Sequence, residues 1–172
     1  MCSSDLRFLS QGIADRYRAW VAEGEQRGGR PVGSVEIAPR LTLCVSRDGN
    51  LARRSVKRYV AHYVNIIRPA ELDLDPAWLD RVGAALSRST GWYFDVGRND
   101  DPEIDTLIGD DLVRSFAVAG TPDECVDLAR EALGLGFTSL SFNLAAPLRP
   151  TLYEGLRETL EGSAEVVSAL RR

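Results

Sequence analysis

The segment 120–124, Gly-Thr-Pro-Asp-Glu, constrains the fold of this chain more than any other feature. Thr121 occupies a helix N-cap position, Pro122 the first helical position, and a glutamate three residues after the cap completes a capping box. The segment follows a short apolar run, 116–119, and starts an amphipathic helix that ends at glycines. An alternating strand, Ser139–Leu144, comes next. This order predicts an α/β fold with parallel strands covered by helices.

The remaining elements continue the same alternation. Hydrophobic periodicity and capping residues predict a helix over Arg7–Glu23, a strand over Val35–Val45, helices over Asn50–Arg68 and Pro76–Leu86, and a final helix over about Leu152–Leu170. The acidic stretch Gly91–Gly109 lacks the alternating ligand positions of a calcium loop and predicts a solvated loop. Two strands are too few to close or shield a parallel sheet, so we expect the chain to be part of a larger unit.

The net charge, the apolar segments and the cysteine content limit the partners and the compartment that we expect for this protein. The chain has 172 residues and a formal net charge of −4, so it offers no basic excess for binding nucleic acid. It has neither an apolar signal segment nor an apolar run of the roughly 18 residues that a membrane helix needs. The three cysteines are sparse and form no CxxC motif, which is typical of a reducing cytoplasm. We therefore expect a cytoplasmic protein without nucleic-acid or membrane partners.

One long stretch resembles a known family. Asp110–Leu144, DDLVRSFAVAGTPDECVDLAREALGLGFTSLSFNL, is similar to the C-terminal signature of the luciferase-like monooxygenases: an apolar run, Gly-Thr-Pro-acid-Glu, a helix ending in glycine and a barrel strand. The strand Val35–Val45 and the arginine-rich helix from Ala52 look like the family's seventh strand and its helix. The sequence from Asp110 to Pro122 is most similar to the branch that contains methylenetetrahydromethanopterin reductase-like proteins. The resemblance covers roughly Phe8–Leu160.

The resemblance implies a TIM-type (β/α)8 barrel, of which residues 7–172 would be an incomplete C-terminal portion with about two barrel strands. It also implies a parent oxidoreductase or monooxygenase that uses FMN or the deazaflavin coenzyme F420 on a small-molecule substrate, and leaves open a homo-oligomer of that parent. The fragment alone is then expected to be inactive. The alternative is a non-catalytic α/β binding module whose exposed apolar helix faces serve a partner chain.

The first six residues carry a separate expectation. Met1–Leu6, Met-Cys-Ser-Ser-Asp-Leu, matches the translation of the end of a common sequencing adapter read from a GTG start. We therefore predict that this leader is not native. Genomic codons continuous with Arg7, and no adapter sequence in the source DNA, would contradict that prediction.

Polar side chains at the ends of the two predicted strands are the candidate site. In a parallel barrel the chemistry lies at the C-terminal ends of the strands. We expect Ser139, Ser141 and Asn143 to face the lumen, with Asn143 last and nearest the mouth. Its carboxamide could hydrogen-bond a flavin ring edge or a substrate carbonyl, or else act as a polar plug bonded to neighbouring strands.

On the first strand the same phase places Arg40, Thr42 and Cys44 inward, with Cys44 nearest the mouth. Asn143 and Cys44 are therefore the two predicted cofactor-binding residues, although a small packing role for Cys44 is the alternative. Arg40 is expected in mid-strand, paired either with an anionic cofactor or, as its position favours, with a core carboxylate.

The histidine and the remaining cysteine give no indication of a metal or catalytic site. His62, the only histidine, has no second ligand candidate, and Cys125 lies on the apolar face of a capped helix, so we predict no metal site and no catalytic thiol there. The chain contains no GxSxG, Walker or HExxH motif, and no GxGxxG after a strand. The catalytic residues of the parent are left unassigned.

Overall fold

Seven helices and three strands make up the described part of the chain. The computed structural model describes residues 10–68, 72–88 and 101–171. In chain order the elements are α1 (Gln11–Arg27), β1 (Arg40–Val45), α2 (Gly49–Ile67), α3 (Pro76–Arg88), α4 (Pro102–Leu107), α5 (Asp110–Phe116), β2 (Ala117–Gly120), α6 (Pro122–Gly134), β3 (Ser141–Leu144) and α7 (Leu152–Leu170). Residues 1–6, the predicted leader, lie outside the described residues.

The three strands form one parallel sheet in the order β2-β1-β3. Thr42 of β1 is the register partner of Ala117 on one side and of Asn143 on the other. The predicted α/β class with parallel strands is confirmed, but the prediction of two strands is wrong because β2 is a third. Its four residues, Ala-Val-Ala-Gly, are all buried and therefore show no polar alternation.

Each face of the sheet has its own apolar core. The odd positions of β1, Leu41, Leu43 and Val45, pack in one cluster with residues of α6 and α7. This confirms that the apolar side of the strand lies against helices. Cys44, on the opposite face, belongs to a second cluster with residues of α2, α3, α4 and α5. Helices therefore cover both faces, as a parallel sheet requires.

Cys44, which was expected to point inward near the barrel mouth, is covered by α2 in the described part of the structure. Cys44 is fully buried in the same cluster as Ala52, Val56 and Val60 of α2. A parallel sheet of three strands does not close on itself, so an exposed inner face would leave apolar surface in water. The apolar side of α2 removes that surface from solvent.

Capping residues place the starts of α2 and α6 close to where the sequence predicts them, whereas the first helix is Gln11–Arg27 with Ser10 as its N-cap and not Arg7–Glu23 as predicted. Asp48 accepts a hydrogen bond from Leu51 N at the start of α2, and Thr121 and Glu124 form the predicted capping box of α6. The strand boundaries are less accurate, because regular pairing of β1 begins only after Pro39, which has no N–H to donate.

The acidic stretch predicted as a solvated loop is partly helical. Residues 91–100 lie outside the described residues, but Asp101 caps α4 by accepting from Glu103 N and Ile104 N. Pro102 follows at the first helical position, and acidic residues in the first turn complement the helix dipole. These acids are therefore helix-start signals, and the loop prediction is wrong for this part.

Candidate functional site

A pocket opens on the polar face of the sheet where β1 and β3 lie side by side. Its volume is about 250 Å³. We call it the Thr42–Asn143 pocket, after the two register partners that meet in its floor. Its lining residues are neutral side chains from β1, α2, β3, the loop that follows β3 and the start of α7: Thr42, Ser55, Val56, Tyr59, Asn143, Leu144, Ala145, Ala146, Leu152 and Leu156.

Thr42 brings an unsatisfied hydroxyl to this pocket. The residue is 1% exposed, and its Oγ1 atom has no hydrogen-bond partner in the described structure. A buried hydroxyl without a partner costs folding free energy, and the large majority of such groups in native proteins are paired. An orphaned hydroxyl that lines a cavity is therefore a candidate ligand contact.

Asn143 lies beside Thr42 on the neighbouring strand and is half-buried. Its carboxamide supplies both donors and an acceptor, and it makes no side-chain hydrogen bond within the described residues. Both alternatives for Asn143, a ligand contact and a polar plug bonded to neighbouring strands, therefore stay predictions. The prediction that Asn143 lies on the polar face is confirmed, since it pairs in register with Thr42.

Ser55 fixes one wall of the pocket. Its hydroxyl donates to Leu51 O at 2.6 Å, within α2, and accepts from Leu148 N at 2.8 Å, in the loop after β3. These two bonds tie the helix above the sheet to the chain that leaves it. The wall is therefore held in place independently of any ligand.

The other predicted residues lie away from this pocket. Burial raises the pKa of the Cys44 thiol and raises that of Cys125 to about 12, so neither is a thiolate at neutral pH. Cys125 lies in the core as predicted, with its Sγ 3.8 Å from Cys44 O. The cofactor-binding role of Cys44 stays a prediction, and in this structure its side chain is fully buried in the core.

Arg40 and His62 also lie outside the lining of the Thr42–Asn143 pocket. Arg40 is the exposed first residue of β1, so the mid-strand position predicted for it is wrong. His62 is half-buried, and its ring meets Tyr63 edge-on at 5.1 Å between centroids. Among the described residues no group of three or more His, Cys, Asp or Glu side chains is placed to hold a metal ion.

An ion pair that the sequence did not reveal closes the C-terminal end of β1. Arg149 donates to both carboxylate oxygens of Glu158, at 2.6 and 2.9 Å, and Ser46 donates to Glu158 at 2.6 Å. Hydrogen bonds from Arg149 hold the pKa of Glu158 below its usual range. The partners come from different elements, so no local spacing flags them. Because all three groups are satisfied, the cluster is structural.

The conspicuous basic residues of α2 are likewise held by acids. Arg53 donates to Asp110 at 3.1 Å and to Glu124 at 3.0 Å. The other oxygen of Glu124 accepts from Thr121 N at 2.7 Å, and that backbone bond lowers the pKa of Glu124. A Cβ at Gly120 would lie 2.6 Å from this carboxylate oxygen, which explains the glycine of the Gly-Thr-Pro segment.

Comparison with known proteins decides the family. The profile of the luciferase-like monooxygenases matches residues 8–139, well over half of the chain. The chain belongs to this family. This confirms the resemblance found in the sequence, and it places the α/β unit and its small parallel sheet within a family of oxidoreductases.

Two curated relatives are named 5,10-methylenetetrahydromethanopterin reductase. The protein of Methanopyrus kandleri is 24% identical over 130 residues, covering 76% of this chain and 35% of the relative. That of Methanolobus tindarius is 24% identical over 123 residues, covering 70% and 35%. This luciferase-like chain thus spans about a third of the length of these relatives.

A solved structure shares the fold. The coenzyme F420-dependent tetrahydromethanopterin reductase of Methanopyrus kandleri superposes with a TM-score of 0.58 at 22% identity, covering 94% of this chain and 43% of that protein. No helix within the described ranges is both long and apolar enough to span a membrane.

Proposed function

We propose that this chain is the C-terminal part of a TIM-type barrel in a luciferase-like oxidoreductase that uses a flavin or deazaflavin coenzyme on a small-molecule substrate. Family membership carries the proposal. It is supported by the two curated relatives named as reductases and by the coenzyme F420-dependent structure that shares the fold. We propose a cytoplasmic location for the parent enzyme, as the cysteine content of this chain favours.

The Thr42–Asn143 pocket fits part of such a coenzyme. Its hydroxyl and carboxamide groups can bind the polar edge of an uncharged ring, and its aliphatic walls suit the ring faces. No Lys or Arg is among its lining residues, so these side chains offer no counter-charge to a coenzyme phosphate. Its volume of about 250 Å³ is also below that of most whole-ligand sites. The phosphate would therefore be bound elsewhere in the parent.

The coenzyme, when bound, supplies the hydride or oxygen chemistry, and this chain supplies orientation. Thr42 and Asn143 fix the position of a polar edge, because both belong to paired strands whose backbones do not move independently. Leu144, Leu156 and Leu152 supply apolar surface beside that edge. A preorganised wall of this kind orients each hydrogen bond made there.

The test is a redox assay on the purified full-length parent. Reduced FMN and reduced F420 are each offered with oxygen and, separately, under anaerobic conditions with candidate acceptors, and the oxidised coenzyme is followed by absorbance. We expect the parent to accelerate oxidation of one coenzyme above its rate free in solution. The 172-residue chain is the matched control and should show no acceleration. A parent that accelerates neither reaction would overturn the proposal and favour the binding-module alternative.

A further inference from the structure

A second cavity lies at the other end of the sheet from the Thr42–Asn143 pocket. Its volume is about 630 Å³, within the range of small-molecule sites. One face of α1, the segment 32–37 that leads into β1 and the loop before β3 form its walls. The last two segments precede parallel strands, so the cavity lies at the amino ends of β1 and β3. We call it the α1 pocket.

Hydrogen bonds hold the walls of the α1 pocket in place without a ligand. Glu25 of α1 is 3% exposed, and its carboxylate accepts from Gly33 N at 2.8 Å and from Val35 N at 2.6 Å. Arg18, two turns earlier in α1, donates to Leu135 O. These bonds join α1 to both neighbouring segments, so the pocket is preformed and binding does not have to order it.

The inner surface of the α1 pocket is mainly aliphatic. Val21 and Ala22 of α1 line it together with three residues of the segment before β1, Val32, Val35 and Ile37. Val32 is 59% exposed, so apolar surface is left in water unless a ligand covers it. Among the described residues that line the pocket none is aromatic, so a planar ligand has no ring on which to stack. An extended hydrocarbon chain therefore fits these walls better than a flat ring.

The charges around the pocket select the end group of such a ligand. Its lining contains one basic and two acidic residues, Arg18, Glu25 and Glu36, with a formal charge of −1. Arg18 is paired with Asp15, and Glu25 is satisfied by backbone N–H groups. Glu36 is exposed, and its side chain has no hydrogen bond or ion pair within the described ranges. A carboxylate ligand would meet net negative charge here, whereas an ammonium group meets a free carboxylate.

We propose that the α1 pocket binds a primary aliphatic amine, whose hydrocarbon chain covers the aliphatic walls and whose ammonium group pairs with Glu36. Burial of the hydrocarbon supplies most of the affinity, and the ion pair supplies the preference for a cation. The Thr42–Asn143 pocket plays no part in this inference, so the inference does not depend on the proposed function.

The test titrates hexylamine, which is charged at neutral pH, into the 15N-labelled 172-residue chain in 0.15 M salt. The backbone amide signals of Gly33 and Gly136, which lie in two different walls, are followed by NMR. We expect saturable binding with a dissociation constant on the order of 1 mM. Hexanol keeps the hydrocarbon but lacks the charge, and should bind about two- to fivefold more weakly. Hexanoate should bind more weakly still. Butylamine, which is two methylenes shorter, should bind about four- to fifteenfold more weakly than hexylamine.

Variants assign the binding to the α1 pocket. Glu36→Gln should weaken hexylamine binding about two- to fivefold and leave hexanol binding unchanged. Glu23→Gln is the matched control and should change neither, because it removes the same charge from an exposed position of α1 outside the lining. Ala22→Phe fills the cavity and should abolish binding of both probes, with a thermal melt by circular dichroism to show that the variant is folded.

Four results on the 172-residue chain would each overturn the inference. They are hexanoate binding as tight as that of hexylamine, no saturable shift, equal losses in Glu36→Gln and Glu23→Gln, and undiminished binding by a folded Ala22→Phe. The titration is then repeated on the full-length parent, where we expect the same affinity. If the parent does not bind hexylamine although the chain does, its additional polypeptide fills the pocket, and the inference is overturned as well. Redox activity is measured separately, so failure of the proposed function is distinguishable from each of these outcomes.

Discussion

The orphaned hydroxyl of Thr42 makes an unusual prediction: removing it should stabilise the protein. Thr42→Val replaces the hydroxyl with a methyl group of similar shape and keeps a β-branched residue in the middle of the sheet. A buried hydroxyl without a partner costs about 1–3 kcal/mol, and Oγ1 of Thr42 is buried and unpartnered. Taking the lower end, we expect the free energy of unfolding to rise by about 1 kcal/mol and Tm by about 2–4 °C.

Thr159 is the matched control, because it is equally buried but fully bonded. Its hydroxyl donates to Ala145 O at 2.8 Å and accepts from Val45 N at 3.2 Å. Thr159→Val should therefore lower the free energy of unfolding by about 1–3 kcal/mol, since it leaves polar backbone groups buried without this partner.

Urea denaturation of the 172-residue chain, followed by circular dichroism, measures both variants. The midpoint should rise for Thr42→Val and fall for Thr159→Val, with the slope unchanged in both. If Thr42→Val lowers the midpoint as much as Thr159→Val does, then Thr42 has a partner in the folded chain. Its hydroxyl would not be available to a ligand, and the reasoning about the pocket would be refuted.

Three further predictions follow from the structure. Thr121→Ala should lower the free energy of unfolding by roughly 1 kcal/mol, because the N-cap hydrogen bond from Glu124 N is lost. The coenzyme affinity of the parent, measured by titration, should not change. A large loss of affinity at normal stability would place Thr121 in the binding site. The 172-residue chain alone should show neither micromolar coenzyme binding nor turnover in a fluorescence titration and a redox assay, and micromolar binding by a folded monomer would contradict this. Arg149 lowers the pKa of Glu158, so their interaction should stabilise the chain above the ordinary glutamate pKa and be lost as the pH falls through the lower folded pKa. The urea midpoint should therefore fall less steeply with decreasing pH in Glu158→Gln than in wild type. Parallel curves of midpoint against pH for the two proteins would refute that assignment.

Local signals in the sequence predict most helix starts because capping acts over three residues. Asp48 and Thr121 cap α2 and α6 as predicted, and α7 begins and ends at the predicted residues. The same logic fails in the acidic stretch, since Asp101 and Pro102 are also start signals but follow residues that predict a loop. Cap residues within a charged segment are therefore easily missed.

The sheet order could not be predicted from local patterns. β1 lies between β2 and β3 although it precedes both in the chain. This strand order depends on which edges of β1 the packed helices leave free for pairing. β2 was missed because its four buried residues carry no alternation. Long-range pairing of this kind is decided by packing of whole layers rather than by any one segment.

The candidate site was partly predictable. Alternation correctly placed Thr42 and Asn143 on the polar face of their strands, and the structure brings them together as register partners. Cys44 shares that face, but α2 covers it, and no property of β1 alone indicates which helix packs where. The missing partner of the Thr42 hydroxyl is likewise a tertiary property, so Thr42 stood out only in the structure.

The most direct test of the account is a fluorescence titration of the full-length parent with FMN and with F420, made on wild type, Thr42→Val and Ser141→Ala. The account predicts saturable binding of one coenzyme by wild type and by Ser141→Ala. Because the pocket is proposed to hold part of the coenzyme, Thr42→Val should bind that coenzyme about three- to tenfold more weakly. A wild-type parent that binds neither coenzyme would contradict the central claim that this chain is part of a coenzyme-dependent luciferase-like oxidoreductase.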